Sequence, residues 1–311
     1  MANIQKIEFK NFDWINITDP TEKTMNDLRE EYKFHPLDIT DCLTLSHRSK
    51  VDIYQNYTFL VFIFPFYVPK TREIEAAEID IFISNKYLIT VQHGNNLDIF
   101  NNFFEKFRLS PDLRQEHSDK SPERLIYELF NRLYLYCFPM VDHLSFDCDE
   151  IEKAIFGGKE KEMVSEILII RRNITDFRKI MQVHKNTLKK MIFNFKDNPL
   201  YVMKKTDLYF ESLIDTTKEI WDTLENLKER IEALQQTNES QISFKLSDIM
   251  RILTIISVLT LPINLLATTF GMNTVNNMPF INDPYGFWHI VGIMAVLLTI
   301  MLVIFKKNKW L

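Results

Sequence analysis

Leu261-Pro262-Ile263-Asn264-Leu265-Leu266-Ala267-Thr268-Thr269-Phe270-Gly271-Met272-Asn273 decides how the chain is read. The stretch closes an apolar, helix-length segment that begins near Ile249. A short loop rich in Asn and Pro follows, then a second apolar segment from about Phe287 to Phe305. The chain turns basic immediately afterwards, at Lys306, Lys307 and Lys309. A bilayer core of ~30 Å takes about 20 apolar residues of helix, and each segment has nearly that length. The pattern predicts a helical hairpin in a membrane, with spans over about 249–270 and 287–305 and Gly271-Met272-Asn273 at the turn.

Outward from the hairpin the chain is of a different kind. The 311 residues are 46% hydrophobic and 25% charged, averages that hide two unlike parts. Charge is dense up to about Lys245, whereas Asp283 is the only Asp, Glu, Lys or Arg between Arg251 and Lys306. A net charge of -5 gives no basic footprint for nucleic acid. Cys42, Cys137 and Cys148 lack metal-ligand spacing and read as reduced thiols of a cytosolic setting. Met1-Ala2-Asn3-Ile4 is not a basic n-region followed by an apolar core, so no signal peptide is expected. Arg251 flanks the first span, the three lysines flank the second, and the connecting loop has no Lys or Arg. The positive-inside rule then puts both termini in the cytoplasm and the turn outside, in a multi-pass protein of the cell membrane. Trp288 and Trp310 suit the two interfacial belts.

The first 120 residues read as a mixed α/β domain. Ile7-Glu8-Phe9-Lys10 and Trp14-Ile15-Asn16-Ile17 alternate in the strand manner. Tyr57 to Phe64 is a β-rich run expected to stop at Pro65. Glu78–Ile83 and Tyr87–Val91 form a hairpin across Asn85-Lys86. Helices are expected after Asp19-Pro20, read as a cap and a first-position proline, near Pro36-Leu37-Asp38, and from Leu97 to Phe107.

Residues 121–248 read as long helices. Leu125, Leu129, Leu133, Tyr136 and Met140 recur at helical spacing from Ser121-Pro122-Glu123 on, and Gly157-Gly158 ends the pattern. A second helix is expected from Lys161 to Phe195. A third begins near Lys204, with an apolar seam through Leu213, Ile220, Leu224, Leu227, Ile231, Leu234, Ile242, Leu246 and Ile249. No Gly or Pro interrupts it between Pro199 and Pro262. It is therefore one rod of about 60 residues, on the order of 90 Å long, running from a cytosolic stalk into the first span.

A plain membrane anchor is the simplest reading of such a hairpin, and three features argue for more. A continuous helix can carry motion between the cytoplasm and the outer loop. One face of it bears Met250, Leu253, Ser257, Leu261, Asn264, Thr268 and Gly271, spaced three or four apart. A lipid-facing anchor has no use for Asn264, because a polar amide in hydrocarbon is costly without a partner or water. Gly271 and Asn273, finally, sit where the helix leaves the bilayer. One such helix makes no pore, but several copies around an axis do. Rings of amide oxygen at Asn273 and Asn264 suit a hard, strongly hydrated cation such as Mg2+, which dehydrates reluctantly. Leu253 and Met250 form an apolar constriction below that gates by dewetting. Ordinary helix packing would equally explain these two, and an interhelical hydrogen bond would explain Asn264. Neither apolar core holds an Asp, Glu, Lys or Arg, and His289 lies at an edge, which argues against a proton relay. The membrane potential remains as driving force, at ~2.3 kcal/mol per charge per 100 mV and about twice that for a divalent ion.

These residues resemble the CorA family of magnesium channels. The most specific match is Gly271-Met272-Asn273 at the end of the first of two C-terminal spans, followed by Met278-Pro279. Leu253-Thr254-Ile255-Ile256, Leu261-Pro262 and the basic ending support it. Tyr87 to Val91 with His93, the Pro122-Glu123 helix start, and Arg171-Arg172 extend a weaker similarity over nearly the whole chain. The resemblance implies a homopentamer with a funnel-shaped α+β cytosolic domain, a stalk helix continuous with the pore, and two C-terminal transmembrane helices. It implies conduction of Mg2+, often also Co2+ or Ni2+, with cytosolic Mg2+ bound between subunits as the closing ligand. By matching positions, Gly271, Met272 and Asn273 belong to the outer filter, with Asn273 meeting the hydrated ion. Asn264, Leu261, Leu253, Met250 and Ser247 belong to the pore lining. The chain departs from the family pattern at Thr274, where an aromatic is usual, and at Phe280, where an acid commonly follows Met-Pro. Asn264 replaces a usual hydroxyl residue, and Ser247 a usual Asn.

Candidate regulatory carboxylates are Asp41, Asp52, Glu78 and Asp80 in the α/β domain, and Glu211, Asp215 and Asp222 on the stalk. Carboxylates on a long exposed helix are most often only a solvated face. Two other classes stay open: a zinc transporter of the same superfamily, proton-coupled, and a membrane-anchored enzyme or scaffold. Against the enzyme, the chain has no Gly-rich phosphate loop, no His/Cys/Asp ligand cluster and no nucleophile elbow, and His93, His143 and His184 are scattered.

Overall fold

A computed structural model describes residues 3–45, 48–94, 96–117, 121–201, 207–272, 279–280, 283–308 and 310. The chain divides into two compact units, Met1–Gln236 and Thr237–Leu311.

Alternation of apolar side chains builds the first unit around a six-stranded sheet. Its strands are β1 (Asn3–Glu8), β2 (Asp13–Thr18), β3 (Lys50–Ile53), β4 (Thr58–Val68), β5 (Glu73–Ile83) and β6 (Tyr87–Gln92). They lie in the order β1-β2-β6-β5-β4-β3. The β2–β6 pairing is parallel and the other pairings are antiparallel. Successive side chains on a strand point to opposite faces, so each strand feeds two cores. Ile15, Ile17, Phe59, Val61 and Phe82 meet Met25 and Leu28 of α1 (Glu22–Tyr32) and Ile39 and Cys42 of α2 (Pro36–Leu43). Trp14, Leu60, Phe62, Ile79 and Ile81 face the opposite, larger core. That core is closed by α3 (Asp98–Leu109), α5 (Pro122–Phe156), α6 (Glu160–Met181) and α7 (His184–Asp197), with α4 (Pro111–His117) between α3 and α5 in sequence.

The hairpin across Asn85-Lys86 forms in the expected register, with Ile83 opposite Leu88. Helix α5 starts at Pro122 and is capped at Gly157, and the following Gly158 takes φ +88. Leu125, Leu129, Leu133 and Met140 are buried as their spacing predicts.

Four expectations need correction. Strand β4 does not stop at Pro65 but runs to Val68, with Pro65 opposite Ala76. Beyond Val61 it has β5 on one side and no β3 on the other, and a one-sided strand tolerates proline. The cap of α1 is Thr21, whose hydroxyl accepts from the Thr24 N–H, two residues after Asp19. Asp19 takes φ 54, and its carboxylate accepts from the Gly94 N–H at 2.7 Å. The expected helix from Lys161 to Phe195 is two helices that part at Gln182-Val183. No Gly or Pro marks the break. At it, the buried His184 ring lies between the Tyr134 hydroxyl (2.9 Å) and the Ile63 carbonyl (2.7 Å), a tertiary constraint invisible to local pattern. Finally, β3 and α4 were not among the expected elements. Lys204, the expected start of the third helix, lies outside the described residues.

Helix α8 (Asp207–Phe270) is one element of 64 residues, and it continues through Pro262. Within the first unit Leu213, Ile220, Leu224, Leu227, Ile231 and Leu234 are all buried. Arg178 of α6 pairs with Glu225, while Arg230 bonds Asp149 (2.6 Å) and Glu152 (2.7 Å) of α5. The second unit holds the remainder of α8 and α9 (Gly286–Lys307). A Cβ at Gly286 would sit 2.2 Å from the Phe280 carbonyl oxygen, so the turn into α9 requires glycine there.

Candidate functional site

Both α8 and α9 contain windows long and apolar enough to cross a membrane. Apolar side chains on them are mostly exposed: Leu253 at 55%, Leu261 at 67% and Val296 at 60%. A protein in water does not leave that much contiguous apolar surface uncovered. Lipid or further copies of the chain must cover it.

The expected stripe on α8 lies on exposed positions throughout: Ser247, Met250, Leu253, Ser257, Leu261, Asn264, Thr268 and Gly271. Two of its hydroxyl groups are served by the helix itself. Ser257 Oγ donates to the Leu253 carbonyl at 2.8 Å, and Thr268 Oγ1 to the Asn264 carbonyl at 2.8 Å. Such back-bonding satisfies the donor and leaves the hydroxyl oxygen free to accept. Asn264 differs, because its side-chain amide bonds no described residue. Ser247 and Met250 also line a shallow groove with Leu246, Arg251, Thr254 and Trp310, so Trp310 lies beside the N-terminal end of the stripe.

Helix α8 ends at Phe270. The Gly271 N–H still bonds the Ala267 carbonyl at 2.9 Å, and the Met272 N–H bonds the Thr269 carbonyl at 3.4 Å. Asn273, the central residue of the expected filter, lies outside the described residues, as do Thr274 and Met278. Asp283, the acid of the outer loop, is already engaged. It accepts from the Tyr285 N–H at 2.9 Å and faces His289 Nδ1 at 3.2 Å.

The candidate regulatory carboxylates fall into separate surroundings. Asp41 and Asp52 come together on one Lys50 ammonium, at 2.5 and 2.6 Å. Sequence reasoning missed Lys50. The signal was the alternation of Lys50 and Asp52 on one face of β3, a strand too short to stand out. Asp80 is fully buried, its carboxylate oxygens have no hydrogen bond of ordinary geometry, and the Cys42 thiol, a weak donor, lies beside it. Burial first, then the charge of Glu78, pushes its carboxyl well above the usual range. Glu78 is itself buried. Glu211 lies 3.8 Å from Lys196, and Asp215 and Asp222 are exposed. Among the described residues no group of three or more His, Cys, Asp or Glu side chains could hold a metal ion.

A mixed-sheet N-terminal domain and a long helix that runs into the first of two apolar, span-length helices define a two-span membrane protein. The comparisons narrow the class. Residues 9–307 match the family described as CorA-like Mg2+ transporter protein, and the chain belongs to that family, whose members transport ions and are not enzymes. It is 28% identical over 299 residues to a cobalt/magnesium transport protein CorA of Thermotoga maritima, covering 96% of this chain and 83% of the relative. The complete CorA magnesium transporter structure from Methanocaldococcus jannaschii superposes with TM-score 0.81 at 20% identity, over 98% of this chain and 94% of that one. The cytoplasmic domain of ZntB from Vibrio parahaemolyticus shares the fold at TM-score 0.59 and 11% identity, over 76% and 89% of the two chains.

Proposed function

We propose that copies of this chain assemble around an axis, five by family resemblance, and conduct Mg2+ inward through a pore lined by the α8 stripe. The observation that carries this reading is Asn264. A span has no reason to hold an unpartnered, exposed amide in hydrocarbon unless water, an ion or another copy meets it. Asn273 and Asn264 supply rings of neutral oxygen that hydrogen-bond the water shell of the ion, with Gly271 and Met272 framing the outer ring. Leu253 and Met250 make the apolar constriction. With no Asp, Glu, Lys or Arg inside either apolar core, the membrane potential drives entry, and both termini lie in the cytoplasm. Co2+ and Ni2+ follow the same path.

Closure by cytosolic Mg2+ belongs to the same proposal. The described residues of one chain hold no three-ligand cluster, so a regulatory ion needs carboxylates from two copies. Asp41 and Asp52 are poised for it, once Lys50 yields, against Glu211, Asp215 or Asp222 of a neighbour. Asp80 is too deeply buried to take part without a rearrangement of α2.

The test is divalent uptake by purified protein in liposomes, under an inside-negative potential without a pH gradient, comparing Mg2+, Co2+, Ni2+ and Zn2+. Mg2+ entry is expected, with a loss of at least tenfold in Asn273→Ala. Zinc entry that requires supplied protons would replace the channel with the zinc-transporter reading. Unchanged flux in Asn273→Ala would remove that residue from the filter.

A further inference from the structure

The first unit contains a cavity of about 460 Å³ that the transport path does not use. It lies where α5, α6 and the β4–β5 turn meet. Ile74, Met140, Leu144 and Ile170 form its apolar floor, each less than a tenth exposed. Tyr67 and Tyr136 supply aromatic walls. The volume is within the range of small-molecule sites, which are largely apolar with a few placed polar groups.

The polar groups decide what fits. Arg72 is spent: its two terminal nitrogens bond the two Glu166 oxygens at 3.0 and 2.7 Å. Asn173 is spent as well, accepting from the Ile74 N–H and donating to the Arg72 carbonyl. Asp147 is not. Its carboxylate lines the cavity half-buried and has neither hydrogen bond nor ion pair with any described residue. His143, one turn earlier on α5, is likewise uncommitted, and so are the hydroxyls of Tyr67 and Tyr136.

The uncommitted inventory is thus one carboxylate, one imidazole and two phenols, around an apolar floor. It is rich in acceptors and holds one carboxylate with neither hydrogen bond nor ion pair, its charge favoured only at a distance by Arg72 and His143. An anion would meet Asp147 with the guanidinium already taken. A bare metal ion would find too few ligands. An ammonium head fits: it donates to Asp147 and the phenol oxygens, and aromatic faces attract a cation. We propose that this cavity binds a primary organic ammonium ion with a small apolar body, the body against Met140 and Ile170 and the head on Asp147. Its occupant would tie α5, α6 and the β4–β5 turn together, a ligand input to the cytosolic unit separate from divalent ions.

The proposal is tested by calorimetric titration of the purified full-length protein with phenethylammonium, beside its neutral isostere 2-phenylethanol and the anion hydrocinnamate. Saturable binding of phenethylammonium at one site per chain is expected. The two controls should bind at least tenfold more weakly. Asp147→Asn should weaken phenethylammonium at least tenfold and leave 2-phenylethanol unchanged. Asp147 makes no bond within the chain, so the variant should melt like the wild type, which keeps lost binding distinct from lost folding. A Tyr136→Phe variant, which keeps the ring, should weaken binding less. No saturable binding, equal binding by Asp147→Asn, or tighter binding of hydrocinnamate would each overturn the proposal. None of these outcomes depends on whether the chain conducts Mg2+.

Discussion

The two halves of α8 carry the same apolar seam and meet opposite fates. From Leu213 to Leu234 the seam is buried, at 7% exposure or less. At Leu246, Ile249, Met250 and Leu253 it is 54–62% exposed. Helical period and composition hardly change between the two. What changes is what the chain supplies as a partner. The lower half is completed by α5, α6 and α7, with Arg178 and Arg230 pinning its flank. In the upper half Ile255 is buried, while the flank at Leu246, Ile249, Met250 and Leu253 has no such cover within the chain. A hydrophobic stripe on a helix therefore states that something will cover it, and the cover itself must be found elsewhere. The boundary between the compact units falls at Gln236-Thr237, a few residues past Leu234, the last buried leucine of the lower seam.

The largest expected effect breaks or upholds this contrast directly. Leu224→Ala should cost about 2–5 kcal/mol, as core truncations do when surroundings relax only partly, read as a lower unfolding temperature of the first unit in detergent. Leu253→Ala should change that temperature little, within roughly 0.5 kcal/mol. If the proposed pore is right, it should instead raise Mg2+ flux at high internal Mg2+, because the variant would widen the apolar constriction assigned to Leu253. Equal destabilisation by both would mean that the upper half is also completed within one chain.

Acid sharpens the contrast next. His184 is fully buried in the first unit, and that burial pulls its pKa down to about 4, against a weaker opposing bond to the Ile63 carbonyl. The unfolded chain takes up a proton near pH 6.5 that the folded chain refuses until about pH 4. Stability from this residue is therefore complete above pH 6.5 and is lost as pH falls from 6.5 to 4. The loss approaches roughly 3 kcal/mol, at ~1.4 kcal/mol per unit. His184→Gln should flatten that limb, measured as the difference between variant and wild-type stability at pH 7 and pH 4. Helical signal from the spans should persist where the first unit melts. An unchanged acid limb in the variant would assign acid sensitivity to other groups.

How much of this was legible depends on where each element's cause lies. The long helices were, because Pro122, Gly157 and the uninterrupted run from Pro199 to Pro262 are local signals. The β5–β6 hairpin was, because alternation and a two-residue turn specify register. The break at Gln182 was not, since a buried ring bonded by α5 and β4 marks it and no Gly or Pro does. Passage of β4 through Pro65 depends on β3 being only four residues long, which a single strand's sequence does not tell. In the candidate site, the α8 stripe follows from helical period alone, and its residues are exposed. The sharing of Lys50 by Asp41 and Asp52, and the burial of Asp80, depend on tertiary pairing between α2, β3 and β5.

The smallest effect compares two unpartnered polar groups, one in each half of the molecule. Asn264 is exposed and waits for something outside the chain, whereas Asp80 is sealed between β5 and α2. If nothing visits Asp80, its two bare oxygens are a plain cost. Asp80→Val, close in size and suited to a strand, should then raise stability at neutral pH by about 1 kcal/mol. The pH dependence has a definite sign. With its carboxyl raised by burial, folded Asp80 keeps a proton that the unfolded chain releases above pH 3.8. Wild-type stability is therefore penalised progressively as pH rises beyond that value, and the advantage of Asp80→Val should be larger at pH 7.5 than at pH 5. Thermal unfolding at the two pH values reads both. A loss of stability in Asp80→Val at neutral pH would mean that the carboxylate has a partner in solution. Asp80 would then resemble Asn264, a group whose complement comes from outside the chain.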